Sequence, residues 1–228
     1  MTWARSSKLR LSREKIVLAT GNRGKLREMK RVLAALPVTI ISLDDIETVK
    51  NVQETGRTFR ENARLKSIAY SLGSGHLTLA EDSGLEVDRL GGAPGVISAR
   101  FSAPRATDKK NVRKVLRLMK GVSWGERGAR FVCHLVLARE GKVIKEVRGV
   151  VRGRIALAPK GDKGFGYDPI FYYAPLRRMF GELSADVKNR VSHRGRALAK
   201  MEAYLSARRG QSSGARKDGR RGPGPLRP

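Results

Sequence analysis

Ile16-Val17-Leu18-Ala19-Thr20-Gly21-Asn22-Arg23-Gly24-Lys25 decides the fold class. Four apolar residues in a row read as a buried strand, and the glycine-containing turn after them reads as a tight loop. Leu26, Met29, Leu33 and Leu36 then recur at helical spacing, so the unit is strand, loop, helix. Outward from it, Val38 to Ile41 reads as a second strand. Thr58 with Glu61 makes a capping box opening a helix through Ala63, Leu65, Ile68 and Ala69. Leu77 to Ala80 reads as a short strand, and Val112 to Met119 as a helix. Phe131 to Leu137 and Val143 to Val151 flank Glu140-Gly141-Lys142, which suits a long antiparallel hairpin. A last helix follows His193 and runs to about Leu205. Strands alternating with helices, plus a hairpin, predict an α/β domain with a mixed sheet.

The 228 residues suffice for one large domain. With 40% hydrophobic and 6% aromatic residues the chain has a globular composition. The 48 Lys and Arg against 21 Asp and Glu leave a net charge of +27, which calls for an anionic partner. Both ends are basic and poor in apolar residues, so residues 1–14 and 206–228 read as flexible extensions around a domain at 15–205. The lone cysteine, Cys133, excludes an internal disulfide, and no Cys/His cluster suggests zinc. Neither a secretory leader nor a membrane-length apolar run is present, so a cytoplasmic location without membrane contact is expected.

Four segments carry candidate chemistry. In the Thr20, Gly21, Asn22, Arg23, Gly24, Lys25 loop, backbone amides and a helix N-terminus converge where a phosphate could dock, with Lys25 adding a charge. The Walker pattern is absent, because two residues separate Gly21 from Gly24 and Leu26 stands in place of a hydroxyl. Glu81-Asp82-Ser83-Gly84 puts two carboxylates at the end of an apolar strand, and Glu54 could join them around a hard cation such as Mg2+. The bland alternative is an acidic turn. Gly164-Phe165-Gly166-Tyr167-Asp168 sets two rings in flexible backbone, suited either to stacking on a nucleobase or to joining the core. Ser192-His193-Arg194-Gly195, preceded by Lys188, opens the last helix with donors for carbonyl or phosphate oxygens.

Read in order, Ala19-Thr20-Gly21-Asn22-x-x-Lys25, Glu81-Asp82-Ser83-Gly84-Leu85-x-Val87-Asp88, Gly92-x-Pro94-Gly95-x-x-Ser98-Ala99-Arg100-Phe101, Gly164-Phe165-Gly166-Tyr167-Asp168-Pro169-Ile170-Phe171 and Ser192-His193-Arg194-Gly195 resemble the inosine triphosphate pyrophosphatase family over residues 15 to 205. The resemblance implies an elongated two-lobed α/β fold around a long, twisted mixed sheet with flanking helices and an active site between the lobes, usually in a homodimer. It implies magnesium-dependent hydrolysis of ITP, dITP and XTP to monophosphate and pyrophosphate, which cleanses the nucleotide pool. By residue, Thr20 to Lys25 and Lys66 would hold the triphosphate, and Glu54, Glu81 and Asp82 the metal. Asp82 would accept the proton, with Ser83 a substrate contact beside it. Phe165 would stack on the purine, with Gly166, Tyr167, Asp168, Lys188, His193 and Arg194 around it.

Fixed donors such as Arg194 or His193 would favour the 6-carbonyl of hypoxanthine and xanthine over the amino group of adenine. Three positions depart from the family pattern. Glu81 stands where Asp is common, Gln53 where a second Glu is, and Ile97 where an aromatic is frequent. A nucleic-acid-binding protein is the competing reading of the charge, and weak nonspecific contact through the basic ends is compatible with either. A pyrophosphatase of the same group with altered base preference is the third.

Overall fold

A computed structural model describes residues 14–46 and 52–213, with side chains through residue 208. The expected extension 1–14, except Glu14, and the end of the expected tail from residue 214 onward lie outside the described residues.

Seven strands form one sheet in the order β2-β1-β3-β4-β5-β6-β7. β1 (Lys15–Ala19) lies parallel to both β2 (Thr39–Ser42) and β3 (Leu77–Val87), and all other pairings are antiparallel. The parallel pairs need crossovers, supplied by α1 (Arg23–Leu33) and α2 (Phe59–Ser74). The capping box is formed: Thr58 Oγ1 accepts from Glu61 N at 3.1 Å, and Glu61 reaches back to Thr58 N at 3.2 Å. β4 (Gly128–Arg139) and β5 (Lys142–Ile155) make the long hairpin, turning at Glu140 and Gly141, both at positive φ. α3 (Asp108–Leu118) lies between β3 and β4, and the short strands β6 (Phe171–Tyr173) and β7 (Arg178–Met179) follow the hairpin. α4 (Ala185–Val191), capped by Ser184, and α5 (His193–Ser213) close the chain. α5 continues to Ser213, past the expected end near Leu205.

The predicted short strand at Leu77–Ala80 is corrected by the structure. β3 runs on through Glu81, Asp82, Ser83 and Gly84 to Val87, paired with β4 throughout, so the carboxylates sit inside a strand rather than at a turn. Gly84 is needed there for close approach: a Cβ would lie 2.2 Å from Ser98 Oγ and 2.8 Å from Gly95 O.

One face of β3 contributes Leu77 and Leu79 to an apolar cluster with Ile16, Leu18, Met29, Leu33, Leu135, Leu198 and Met201, covered by α1 and α5. Cys133 is buried in this cluster, where burial pushes its thiol well up, so it behaves as an apolar residue. The opposite face puts Ala80 beside Ala19 and Tyr70 of α2. A second cluster, from Leu85 and Val87 to Phe131, Phe171 and Phe180, fills the other end of the molecule. Among the described residues no helix is long and apolar enough to cross a membrane.

Candidate active site

A cleft of about 280 Å3 opens where the end of β1, the middle of α2, the middle of β3, the start of α3, the 165–168 loop and the start of α5 converge. Its lining includes Thr20, Gly21, Asn22, Lys25, Glu54, Lys66, Asp82, Ser83, Phe165, Gly166, Tyr167, Asp168, Lys188, His193 and Arg194. Fifteen of the eighteen residues singled out in the sequence thus face one space. Arg23, Gly24 and Glu81 do not line it.

The first loop is built by its own side chains. Asn22 caps α1, its Oδ1 accepting from Gly24 N at 2.9 Å and Lys25 N at 3.1 Å, while Thr20 Oγ1 accepts from Asn22 N at 3.2 Å. Three amides expected to meet a phosphate are therefore already engaged. The Lys25 ammonium, 3.5 Å from Glu81, is the charge the loop brings to the cleft. Arg23 is exposed on the first turn of α1, and Gly24 is buried under the Phe165 ring.

The expected acidic trio does not form one cluster. Successive residues of a strand point to opposite faces, so Glu81 and Asp82 part company. Glu81 turns toward α5, accepting from Arg194 Nε at 2.7 Å, Arg194 Nη2 at 2.8 Å and Ser83 Oγ at 2.6 Å. Its burial would raise its pKa, but Arg194 and Lys25 outweigh that and hold the carboxyl well below the usual range. Asp82 turns toward α2, where Asn62 Nδ2 donates to it at 3.2 Å and Lys66 Nζ lies 3.9 Å away. Burial raises the Asp82 pKa, against the opposing pull of Lys66. Lys66 also donates to Glu54 at 2.6 Å. Among the described residues no three His, Cys, Asp or Glu side chains converge on a point. Glu54 and Asp82, both against Lys66 on one wall, are the pair that fits a hard cation. Magnesium takes one or two carboxylates and completes its shell with water and substrate phosphates.

Sequence reading missed Glu28 and Asn62. Glu28 of α1 accepts from Lys188 Nζ at 2.9 Å and pairs with Arg194, and Lys188 also donates to Asp168 at 2.5 Å. Asp168, Lys188, Glu28, Arg194 and Glu81 thus alternate in sign through the cleft wall. Burial raises the Asp168 pKa although Lys188 opposes it. Glu28 lies one turn after Lys25, so helical spacing from that lysine was the available signal. Asn62 is fully buried and ties two pieces together: its Oδ1 accepts from Gly56 N at 2.7 Å, anchoring the Glu54 loop to Asp82.

On the opposite wall the Phe165 ring lies under Lys188 at 4.6 Å and Arg194 at 5.4 Å. Tyr167 joins the second apolar cluster, its hydroxyl donating to Ser98 O at 2.8 Å, so this ring took the core alternative. Arg194 spends its donors on Glu28, Glu81 and Ser83. Four of its five donors are therefore already engaged by neighbouring side chains. His193 differs: its ring stacks on Phe131 at 4.7 Å, and its buried Nδ1 has no hydrogen-bond partner. Burial, then the nearby Arg194 charge, lowers its pKa well below the usual value, so the ring is neutral.

An α/β sheet with a cleft of lysines, paired carboxylates and a ring held between cations defines a protein that accommodates a phosphorylated, flat-ringed ligand. The chain belongs to the Ham1 family, whose model matches residues 16–204. It is 42% identical over 192 residues to a dITP/XTP pyrophosphatase of Bacillus licheniformis, covering 84% of this chain and 98% of the relative. It is 46% identical over 191 residues to one of Exiguobacterium sp., covering 84% and 96%. Among solved structures, a HAM1 protein from Coxiella burnetii superposes with a TM-score of 0.78 at 38% identity, covering 85% of this chain and 99% of that one. A nucleoside-triphosphatase / dITP/XTP pyrophosphatase from Mycobacterium abscessus gives 0.67 at 41% identity, covering 82% and 98%.

Proposed function

We propose that this chain hydrolyses deaminated purine nucleoside triphosphates, ITP, dITP and XTP, to the monophosphate and pyrophosphate, keeping them out of DNA and RNA. The observation that carries the reading is the meeting of Lys25, Lys66 and Asp82 with Phe165, Lys188 and His193 in one cleft. Phosphate-neutralising charge and a ring for a base thereby share one space. The dITP/XTP pyrophosphatases it resembles support the same substrates.

Glu54 and Asp82 would hold Mg2+, which when bound supplies charge neutralisation for the triphosphate. Lys25 and Lys66 bind and orient the phosphates. Asp82 orients a water and takes its proton as the oxygen attacks the α-phosphorus. The bond from that phosphorus to the oxygen bridging to the β-phosphate breaks, and the electron pair leaves with pyrophosphate, whose charge the lysines balance.

Phe165 stacks on the purine. The neutral His193 ring and Lys188 donate to the 6-carbonyl. Adenine would leave such a donor unmatched, costing about 1–3 kcal/mol, or roughly ten- to hundredfold in preference. Glu28 and Glu81 set the positions of Lys188 and Arg194 rather than touching substrate. A homodimeric, cytoplasmic enzyme, with weak nonspecific nucleic-acid contact through its basic ends, completes the proposal.

The test is pyrophosphate release from ITP, XTP, GTP and ATP with Mg2+, comparing the natural chain with Asp82→Asn. Rapid cleavage of ITP and XTP that disappears in the variant supports the reading. Folded protein that cleaves none of the four overturns it.

A further inference from the structure

The cleft uses few of the cations behind the +27 charge. Residues 100–120 hold eight of them, Arg100, Arg105, Lys109, Lys110, Arg113, Lys114, Arg117 and Lys120, against one acid, Asp108. Asp108 is turned to the cleft, where it accepts from Gly166 N at 2.7 Å. Among the described residues none of these eight cations forms an ion pair with a carboxylate. Arg60, Arg64, Arg130 and Arg139, by contrast, each have one.

Their arrangement on α3 is directional. Val112 and Val115 are buried, while Lys110, Arg113, Lys114 and Arg117 fall at the i, i+3, i+4, i+7 spacing of one helix face. That face borders a groove of about 360 Å3 whose remaining lining is Ser102 and Ala103, with no acidic residue. Two of the cations are fixed rather than waving in solvent. Lys114 Nζ donates to Phe101 O at 2.6 Å and Lys110 Nζ to Arg105 O at 3.1 Å. Arg113 and Arg117 are exposed. From Lys110 to Arg117 the row spans about 10 Å at 1.5 Å per residue. An ordinary solvated helix intersperses charges of both signs. Here a single sign lines a groove, leaving its mutual repulsion uncompensated until an anion binds.

We propose that this face of α3 is a docking surface for the sugar-phosphate backbone of a nucleic acid, independent of the catalytic cleft. Its occupant is a polyanion, because a row of four unneutralised cations matches successive phosphodiesters of one strand. Recognition rests on phosphate alone and carries no base preference. The surface lies in the folded domain, distinct from the basic ends, and α3 begins at the cleft through Asp108 and Asn111, so a bound strand lies beside the cleft mouth.

The test is fluorescence anisotropy of a labelled 20-nucleotide single strand, as RNA and as DNA, over a salt series, using the full chain. The natural protein is compared with Lys110→Gln/Arg113→Gln/Arg117→Gln and with Lys217→Gln/Arg220→Gln/Arg221→Gln, which removes equal charge from the C-terminal end. Circular dichroism and ITP turnover confirm that each variant is folded. With four contacts, single-strand affinity should fall about fiftyfold between 50 and 200 mM salt. The α3 variant should bind at least tenfold more weakly at low salt and flatten the slope of log affinity against log salt by about 2. The C-terminal variant should lose less than threefold. RNA and DNA should bind alike, and a tenfold preference for either overturns recognition by phosphate alone. Equal losses in both variants, no loss in the α3 variant, or no binding by the natural chain would overturn the docking surface. So would intact strand binding with a salt-dependent fall in kcat/KM for ITP in the α3 variant, which would make α3 a surface that steers nucleotides.

Discussion

Glu81 and Asp82 are neighbours in sequence and stand on opposite faces of β3, Glu81 accepting two hydrogen bonds from Arg194 and Asp82 held by Asn62 and facing Lys66. One carboxylate is a counter-ion buried against Arg194, and the other faces the cleft, where its proposed role is that of the base. Substitutions at the two positions should therefore fail in different ways.

Asp82→Asn should lower ITP hydrolysis at least a hundredfold, within the range for a general base. Its fold should not suffer. The Asp82 pKa is raised by burial, so its favourable contribution belongs to low pH and is lost as pH rises through the folded value. At pH 7 the amide removes a buried charge, and Tm should be equal or higher. A Tm fall of several degrees with activity retained would refute the assignment.

Glu81→Gln should instead unfold the protein more readily, by about 3 kcal/mol, because it removes one of the two carboxylates that neutralise the buried Arg194 and leaves Glu28 alone against it. The Mg2+ concentration for half-maximal activity should stay within twofold in the folded fraction, since Glu81 does not line the cleft. The folded-state pKa is depressed well below the ordinary carboxylate value of 4.5, so this stabilisation is present at neutral pH and is lost progressively as pH falls below about 4.5. Chemical denaturation from pH 7 to 3 should show the natural chain losing that advantage while Glu81→Gln does not.

Glu28→Gln releases both Lys188 and Arg194 from their shared partner. The expected result is a ten- to hundredfold loss in kcat/KM for ITP, expressed mainly in KM. Glu28→Asp should recover part of it if position, rather than charge alone, matters.

Gly24→Ala places a Cβ 2.7 Å from the Phe165 ring, well inside contact distance. The ring must shift, so KM for ITP should rise about tenfold with kcat changed less than threefold. An unchanged KM would show that Phe165 does not set base binding.

Local patterns were legible where local physics decides them. The apolar run at Ile16–Ala19, the Thr58 and Glu61 capping box and the Glu140-Gly141 turn are each signalled by residues a few places apart, and all three formed as read. The site's composition was legible too, since fifteen of its residues line one cleft. β3 was read too short because Glu81-Asp82-Ser83-Gly84 has the chemistry of a turn. Buried carboxylates cost several kcal/mol unless partnered, and the partners of these two lie far off in the chain. Arg194 arrives from α5 and Lys66 from α2.

By itself, then, the sequence determined the order of elements through the long hairpin and the last helix, though not β6, β7 or α4, together with the strand-to-helix loop and the residue types of the cleft, because periodicity, capping and turn chemistry act over a few residues. Only the tertiary structure decided that Glu81 faces Arg194 rather than the cleft, that Glu28 bridges two cations, and that four of the five Arg194 donors are taken by Glu28, Glu81 and Ser83. Those outcomes depend on which charges the packing of α1 and α5 brings within 3 Å of one another, and the energy of a buried charge is set by such partners rather than by its neighbours along the chain.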